Sequence, residues 1–218
     1  MNIVQYPLPL GQYILEEYQK KQIYLHHTAG NSNPYATVDF FKSTPDRVAT
    51  SFVIGGINKD ITDGEIVQCF PYKYWAYHLG LKQKHFNDEN VKYQQLDKIS
   101  VGIEITNWGP LTLTEKGWQT YTKNTYLKDS EVITYEHPFK GYKHYHKYTD
   151  GQINSLYELL KFLSKELHID PTYKGDKIFS IDKRALLGEP GIYTHVSVRP
   201  DKSDCHPQPE LINMLKSL

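Results

Sequence analysis

The segment from Thr149 to Leu167 limits the possible folds more than any other. Thr149-Asp150-Gly151-Gln152 has the form of a capping box, in which a Thr hydroxyl and a Gln three residues later satisfy each other's backbone amides at a helix start. Behind it, Ile153, Leu156, Tyr157, Leu160, Leu163 and Leu167 recur at helical spacing. Such a stripe covers one side of a helix, so the helix needs an apolar surface to lie on. Short runs elsewhere supply it. Ile23 to His27, Phe52 to Ile57, Glu65 to Phe70, Val101 to Thr106, Ile178 to Ile181 and Ile192 to Val196 all read as strands. The Asn58 to Gly64 stretch makes a hairpin of the second and third. Shorter helices are expected near Gln12 to Gln19, behind a Thr37 cap and ahead of Pro45, and over Pro207 to Leu218 with Pro209 in the first turn. Strands and helices that alternate around an internal hairpin predict an α/β fold: a single domain with a central mixed β-sheet flanked by helices. Residues 1–21 read as an N-terminal arm and residues 22–218 as the domain.

Composition sets the setting. Apolar residues are 39% of the 218, enough to bury a core. Twenty-five basic and 25 acidic side chains cancel, so no global field draws the chain to nucleic acid or to an anionic membrane. Neither is expected as a partner, and the chain reads as a monomer. No run approaches the roughly 18 apolar residues of a membrane span. The first 21 residues lack the basic and apolar segments of a signal peptide. The expectation is therefore synthesis in the cytoplasm, with any substrate beyond the membrane reached by another route. The two cysteines, Cys69 and Cys205, make no disulfide framework. The 18 tyrosines suit sugar and peptide surfaces, although compositional bias accounts for most of them.

Three features could carry chemistry. In the first strand, alternation puts Ile23, Leu25 and His27 on one face and Tyr24, His26 and Thr28 on the other. His26 stands at the strand's C-terminal end, where open α/β sheets tend to place sites. A histidine there is either a ligand or a packed core residue. His195 and Cys205 close a loop containing Pro200, Asp201 and Ser203, which can fold back to bring its ends around one ion. Two His and one Cys satisfy the three protein ligands of a catalytic zinc site, and a buried free thiol beside an unrelated His satisfies the same pattern. Glu104 alternates with Val101, Ile103 and Ile105, and in a central strand it would be buried, with a raised pKa suited to proton transfer.

Six segments occur in one order: Ile23 to Gly30; Ser51 to Ile54 followed by Asp63 to Gln68; Trp75 to Gly80; Ser100 to Asn107; Tyr148 to Gln152; and His195 to Pro207. Together they resemble the type 2 N-acetylmuramoyl-L-alanine amidases, a family of phage lysozyme-like amidases, muropeptide-recycling amidases and animal peptidoglycan recognition proteins. The resemblance spans roughly residues 22 to 217. It implies zinc held by His26, His195 and Cys205, the last at a position that is Cys or Asp in different branches. It implies Glu104 as the acid that activates water, and His78 and Asn107 as residues of the substrate cleft. Two departures stand out. The family often has a Lys two residues before the third ligand, where Ser203 stands, with Lys202 one place earlier. The Tyr that phage lysozyme-like members carry before the Phe52 strand is replaced by Thr50 and Ser51.

The resemblance further implies hydrolysis of the lactyl–L-alanine amide of peptidoglycan or of muropeptides. Zinc and Glu104 would generate the nucleophile, and Lys202, His78 or Glu104 would return a proton to the alanine nitrogen. A phage-type lysin acting on the cell wall after release is the expected setting, with a cytosolic recycling amidase as its alternative. A binding-only protein of this fold would lack a ligand, whereas all three positions here carry competent residues. Blue copper needs a closer Met than Met214, and a zinc deaminase needs motifs absent here. A structural zinc site would need a fourth ligand, for which His206 is the only neighbour.

Overall fold

The strand at Gln22–His27 (β2) is buried at every position. Both its edges are hydrogen-bonded, to Ser100–Ile105 (β5) on one side and to Gly191–Thr194 (β11) on the other, both parallel. Apolar and β-branched residues on both faces suit such a doubly covered central strand. The structure, a computed structural model, describes residues 1–218. Beyond β5 lies Phe52–Ile54 (β3), also parallel, then Ile66–Gln68 (β4) antiparallel to it, and at the edge Ile3–Gln5 (β1). The six strands run in the order β1-β4-β3-β5-β2-β11, a mixed sheet as expected. The N-terminal arm is thus a working strand of the sheet.

The sheet's faces differ. Ile23, Leu25, Val101, Ile103, Ile105 and Phe52 meet Leu156, Leu159, Leu160 and Leu163 of the long helix Asp150–Leu167 (α3). Leu211, Met214 and Leu215 of Pro209–Lys216 (α5) complete this main core. A leucine truncated to Ala in such packing typically costs about 2–5 kcal/mol. The capping box at Thr149 forms as the sequence reads: Gln152 N donates to Thr149 Oγ1 at 3.0 Å, and Thr149 N donates to Gln152 Oε1 at 3.1 Å. On the opposite face a smaller core joins Val53 and Val67 to Val38 and Phe41 of Pro34–Ser43 (α1). The rest of that face carries the candidate site. No helix is long and apolar enough to cross a membrane.

Several local expectations change. α1 starts earlier than a Thr37 cap allows, because Asn33 accepts from Tyr35 N and Pro34 fits the first turn. Residues 12–19 are not helical: Ile14 bridges to Trp75, and Tyr13 stacks on Phe70. Ile178 lies in a short 3-10 turn, Asp176–Phe179, and its carbonyl accepts from the hydroxyls of Thr194 and Ser197. A short helix, Gln83–Asn87 (α2), sits on the way to β5, and Lys183–Leu186 (α4) precedes β11. Residues 111–146 form two further small sheets. One has strands Leu111–Thr114 (β6), Gly117–Thr120 (β7) and Tyr126–Leu127 (β8). The other pairs Val132–Phe139 (β9) with Tyr142–His146 (β10). Their polar, largely exposed residues gave no periodicity to read.

Candidate metal centre and active site

Parallel register assembles the site. His26 lies directly across from Glu104, and His195 follows β11 immediately. All three come from the C-terminal ends of adjacent parallel strands, where side chains converge over the sheet's edge. The loop after His195 returns through Pro200, and Asp204 O accepts from Val196 N at 3.1 Å. Arg199 fastens this loop: Nη1 donates to Leu79 O and Gly80 O, while Nε and Nη2 grip the Asp201 carboxylate at 2.9 and 2.7 Å.

The residue that joins His26 and His195 is Asp204, not Cys205. His26 Nδ1 and His195 Nδ1 lie 3.1 Å apart, and Asp204 Oδ2 is 3.2 and 2.9 Å from them. These three atoms form a group able to hold a metal ion. Cys205 faces the other way, fully buried in the main core beside Tyr148. Burial first, with Asp204 and Glu104 nearby, pushes its thiol well above the usual range, so it stays protonated. The shift by one residue also removes a departure from the family pattern, since Lys202 now stands two places before the third member of the cluster.

Hydrogen bonds fix the tautomers. Ser100 Oγ donates to Leu96 O at 2.8 Å, so its oxygen accepts from His78 Nε2 at 2.9 Å. His78 Nδ1 is then bare and accepts from His26 Nε2 at 3.0 Å. That leaves His26 Nδ1 bare. His195 Nε2 donates to Leu79 O at 3.0 Å, which leaves His195 Nδ1 bare as well. Three lone pairs, one on an anion, therefore converge within 3.2 Å with no proton donor among them. Such a group calls for a cation, and two imidazoles with one carboxylate form a donor set that zinc accepts. Burial, then His195, lowers the His26 pKa to about 4. Burial raises that of Asp204, whereas a proton or charge on His195 or His26, or a cation in its place, holds the carboxylate well below its usual range. Near neutral pH His26 is neutral and Asp204 ionised, the states a metal needs.

Glu104 faces the same pocket, of about 340 Å³, with Lys202 at its rim. Its Oε2 is buried without a hydrogen-bond partner. Burial, then the Asp204 charge, pushes its pKa well above the ordinary value, and Lys202 partly offsets this. An orphaned carboxylate oxygen at a cleft wall is poised for proton transfer.

Two expected cleft residues have other work. Both ring nitrogens of His78 are engaged inside the protein, so it holds His26 rather than offering itself to substrate. Gly102 makes room for it: a Cβ there would lie 2.7 Å from Thr50 and 3.0 Å from His78 Nδ1. Asn107 is fully buried. Its Nδ2 donates to the carbonyls of His146 and Lys147, and its Oδ1 accepts from Gly109 N, tying β5 to β10. Asp204 escaped the sequence reading because its neighbour offered a thiol; the spacing from Lys202 was the signal that could have found it.

Comparison with known proteins bears on the family and the fold. A family model described as N-acetylmuramoyl-L-alanine amidase matches residues 17–209. The structure of PlyL aligns with a TM-score of 0.55 at 14% identity, covering 99% of this chain and 98% of that one. A mutant endolysin from Bacillus subtilis aligns with 0.54 at 17%, covering 99% and 97%. The N-acetylmuramyl-L-alanine amidase AmiD from E. coli, solved with anhydro-N-acetylmuramic acid-L-Ala-D-gamma-Glu-L-Lys, aligns with 0.54 at 16%, covering 92% of this chain and 59% of AmiD. At these identities the likeness shows a shared fold. No curated protein matches the sequence significantly.

Proposed function

The chain belongs to the N-acetylmuramoyl-L-alanine amidase family, and on that premise we propose that it is a zinc-dependent hydrolase of the amide joining the muramic acid lactyl group to L-alanine. The observation that carries this reading is the triangle of bare His26 Nδ1, His195 Nδ1 and Asp204 Oδ2, which would hold the ion. Zinc bound there would supply Lewis acidity toward both a water molecule and the scissile carbonyl.

The chain's own groups do the rest. Glu104 takes the proton of the attacking water as its oxygen bonds to the carbonyl carbon. Its unpartnered Oε2 gives that proton a place to go. Lys202, on the loop fastened by Arg199, offers positive charge to the oxygen that becomes negative. Glu104 then returns the proton to the alanine nitrogen, the carbon–nitrogen bond breaks, and a lactyl carboxylic acid and a free amine remain. His78 leaves the list of proton donors, since its hydrogen is committed to Ser100.

Elemental analysis should find about one zinc per chain in the purified protein, lost in His195→Ala. Glu104→Gln should keep the zinc and lose activity by about 10²–10⁴-fold, the usual range for a general base. Zinc-free protein after reconstitution, or full activity in Glu104→Gln, would overturn the proposal. The setting we infer is a phage-type lysin. Activity on soluble anhydromuropeptides without activity on intact sacculi would reassign it to recycling.

A further inference from the structure

His78, Leu79 and Gly80 lie in neither a helix nor a strand, so no regular hydrogen-bond ladder fixes their backbone. Yet both histidines of the candidate centre lean on them. The His78 ring holds His26, and Leu79 O accepts from His195 Nε2 at 3.0 Å. Leu79 O and Gly80 O also accept from Arg199 Nη1, at 3.1 and 2.7 Å. Gly80 is required at the end of this stretch: its φ is +57°, and a Cβ there would lie 2.6 Å from Arg199 Nη1. The stretch is placed by a 3-10 turn, Leu96–Ile99, directly before β5. Asp97 Oδ1 accepts from His78 N at 2.8 Å and from Leu79 N at 3.0 Å. Three residues on, Ser100 takes the far end of the His78 ring. The turn thus grips His78 by backbone and ring together. Lys20 of the N-terminal arm is buried against the turn. Its Nζ donates to Lys98 O at 2.8 Å, and the Asp97 charge partly offsets its burial.

We propose that Asp97 is a positioning residue of the metal centre: it touches neither His26 nor His195, and it sets the separation of their rings through the amides of His78 and Leu79. The inference rests on the metal reading above. A metal-binding imidazole takes its orientation from the group that accepts its other N–H. For His26 that group is His78 Nδ1, and for His195 it is Leu79 O. The two groups belong to consecutive residues of one loop, and a single carboxylate oxygen holds both their amides. A shift of that oxygen would move the supports of both rings at once, on the two sides of the 3.1 Å gap between His26 Nδ1 and His195 Nδ1. Both partners of Asp97 Oδ1 are neutral amides, so the role calls for an acceptor at that point and not for charge. An amide side chain of the same length fills it; a carboxylate one methylene longer does not.

The test measures zinc affinity of the full chain by chelator competition in Asp97→Ala, Asp97→Asn and Asp97→Glu. Asp97→Ala and Asp97→Glu should bind zinc about tenfold more weakly, the low end for groups that orient a metal-binding imidazole, and Asp97→Asn should stay within about threefold of wild type. Loaded with cobalt, the first two should show a shifted visible spectrum and Asp97→Asn the wild-type one. Lower unfolding free energy of the zinc-free variants, with affinity and spectrum unchanged, is what a purely structural role gives, and it would overturn the proposal. A loss in Asp97→Asn as large as in Asp97→Glu, or larger, would overturn it too, by making charge the agent. Where Asp97→Ala does not fold, Asp97→Asn and Asp97→Glu decide between themselves. If the wild type binds no zinc, the metal reading fails separately, and NMR of the metal-free protein still decides whether Asp97 places the rings. The slowly exchanging His195 imidazole N–H should persist in Asp97→Asn and exchange faster in Asp97→Glu; the same signal in both sinks the proposal.

Discussion

Two histidine clusters lie back to back in this molecule, seeded by adjacent residues of one strand. His26 points to the cleft face and meets His195, His78 and Asp204. His27 points to the opposite face, where its Nδ1 meets the Tyr148 hydroxyl at 3.1 Å and its ring lies near His206. In that second cluster the hydrogen bonds all run to neutral partners. Tyr135 Oη and His206 Nδ1 are 2.6 Å apart, His206 Nε2 donates to His146 O, and Trp108 N donates to His146 Nδ1. Gly109, with φ of +70°, is required there, since a Cβ would come 2.8 Å from His27 Nε2. Both clusters are buried and both are rich in imidazole. The difference is one carboxylate and a set of unsatisfied lone pairs. Histidines become a site when bare nitrogens converge on a carboxylate with no donor between them, and scaffolding when neutral hydroxyls, amides and carbonyls hold the rings apart.

Mutations at the Asp204–Cys205 pair test that distinction most severely. Asp204→Asn should remove both zinc and activity, the latter by at least about 10³-fold, while Cys205→Ala should keep the zinc and lose only the stability of a small buried side chain. Metal analysis of the two variants side by side reads this directly; zinc lost in Cys205→Ala and kept in Asp204→Asn would reverse the assignment. Next in size is His78→Ala, which frees the far side of His26. Zinc affinity, measured by competition with a chromophoric chelator, should fall by about 10–100-fold, with partial recovery in Ser100-intact His78→Gln. A change in activity alone, at constant affinity, would return His78 to the substrate.

On the other face, His27→Ala should destabilise the fold by about 1–3 kcal/mol, because the Tyr148 hydroxyl loses its His27 partner and keeps only the bond from His206 N, with one zinc still bound, as denaturant melts and metal analysis would show. The smallest effect is one of slope. Burial, then His27, lowers the His146 pKa to about 4, against about 6.5 in an unfolded chain. Between those values the unfolded state binds the extra proton. Stability is therefore complete above about pH 6.5 and is lost as the pH falls toward 4. His146→Gln should reduce that slope by about 1.4 kcal/mol per pH unit, measured as unfolding free energy against pH.

The central strands, the capped helix and the closing helix were legible because their apolar periodicity reflects what they bury. Strand alternation set the faces of His26 and Glu104 but left their work open; the resemblance to the amidases gave these two, and His195, their expected roles. The third member of the cluster was not. Asp204 and Cys205 are neighbours in a loop, where no period dictates which one turns inward, and only the fastening by Arg199 and the pull of the core on Cys205 decide it. The roles of His78 and Asn107 were hidden for a related reason: each is set by partners far away in sequence, Ser100 and Leu96 for one, His146 and Lys147 for the other. Residues 111–146 carry too little buried apolar surface to announce their strands, yet they wall a groove beside the candidate site.

The fastening of the loop by Arg199 has a consequence for metal supply. Small zinc domains collapse without their ion because the ion itself gathers the ligands. Here two strands, a buried core and one arginine also hold the residues we propose as ligands, so under that reading folding should not depend on the ion alone. A chain starved of metal should persist intact, resist proteolysis as the loaded form does, and recover within the time of a binding event once zinc returns, with no refolding in between.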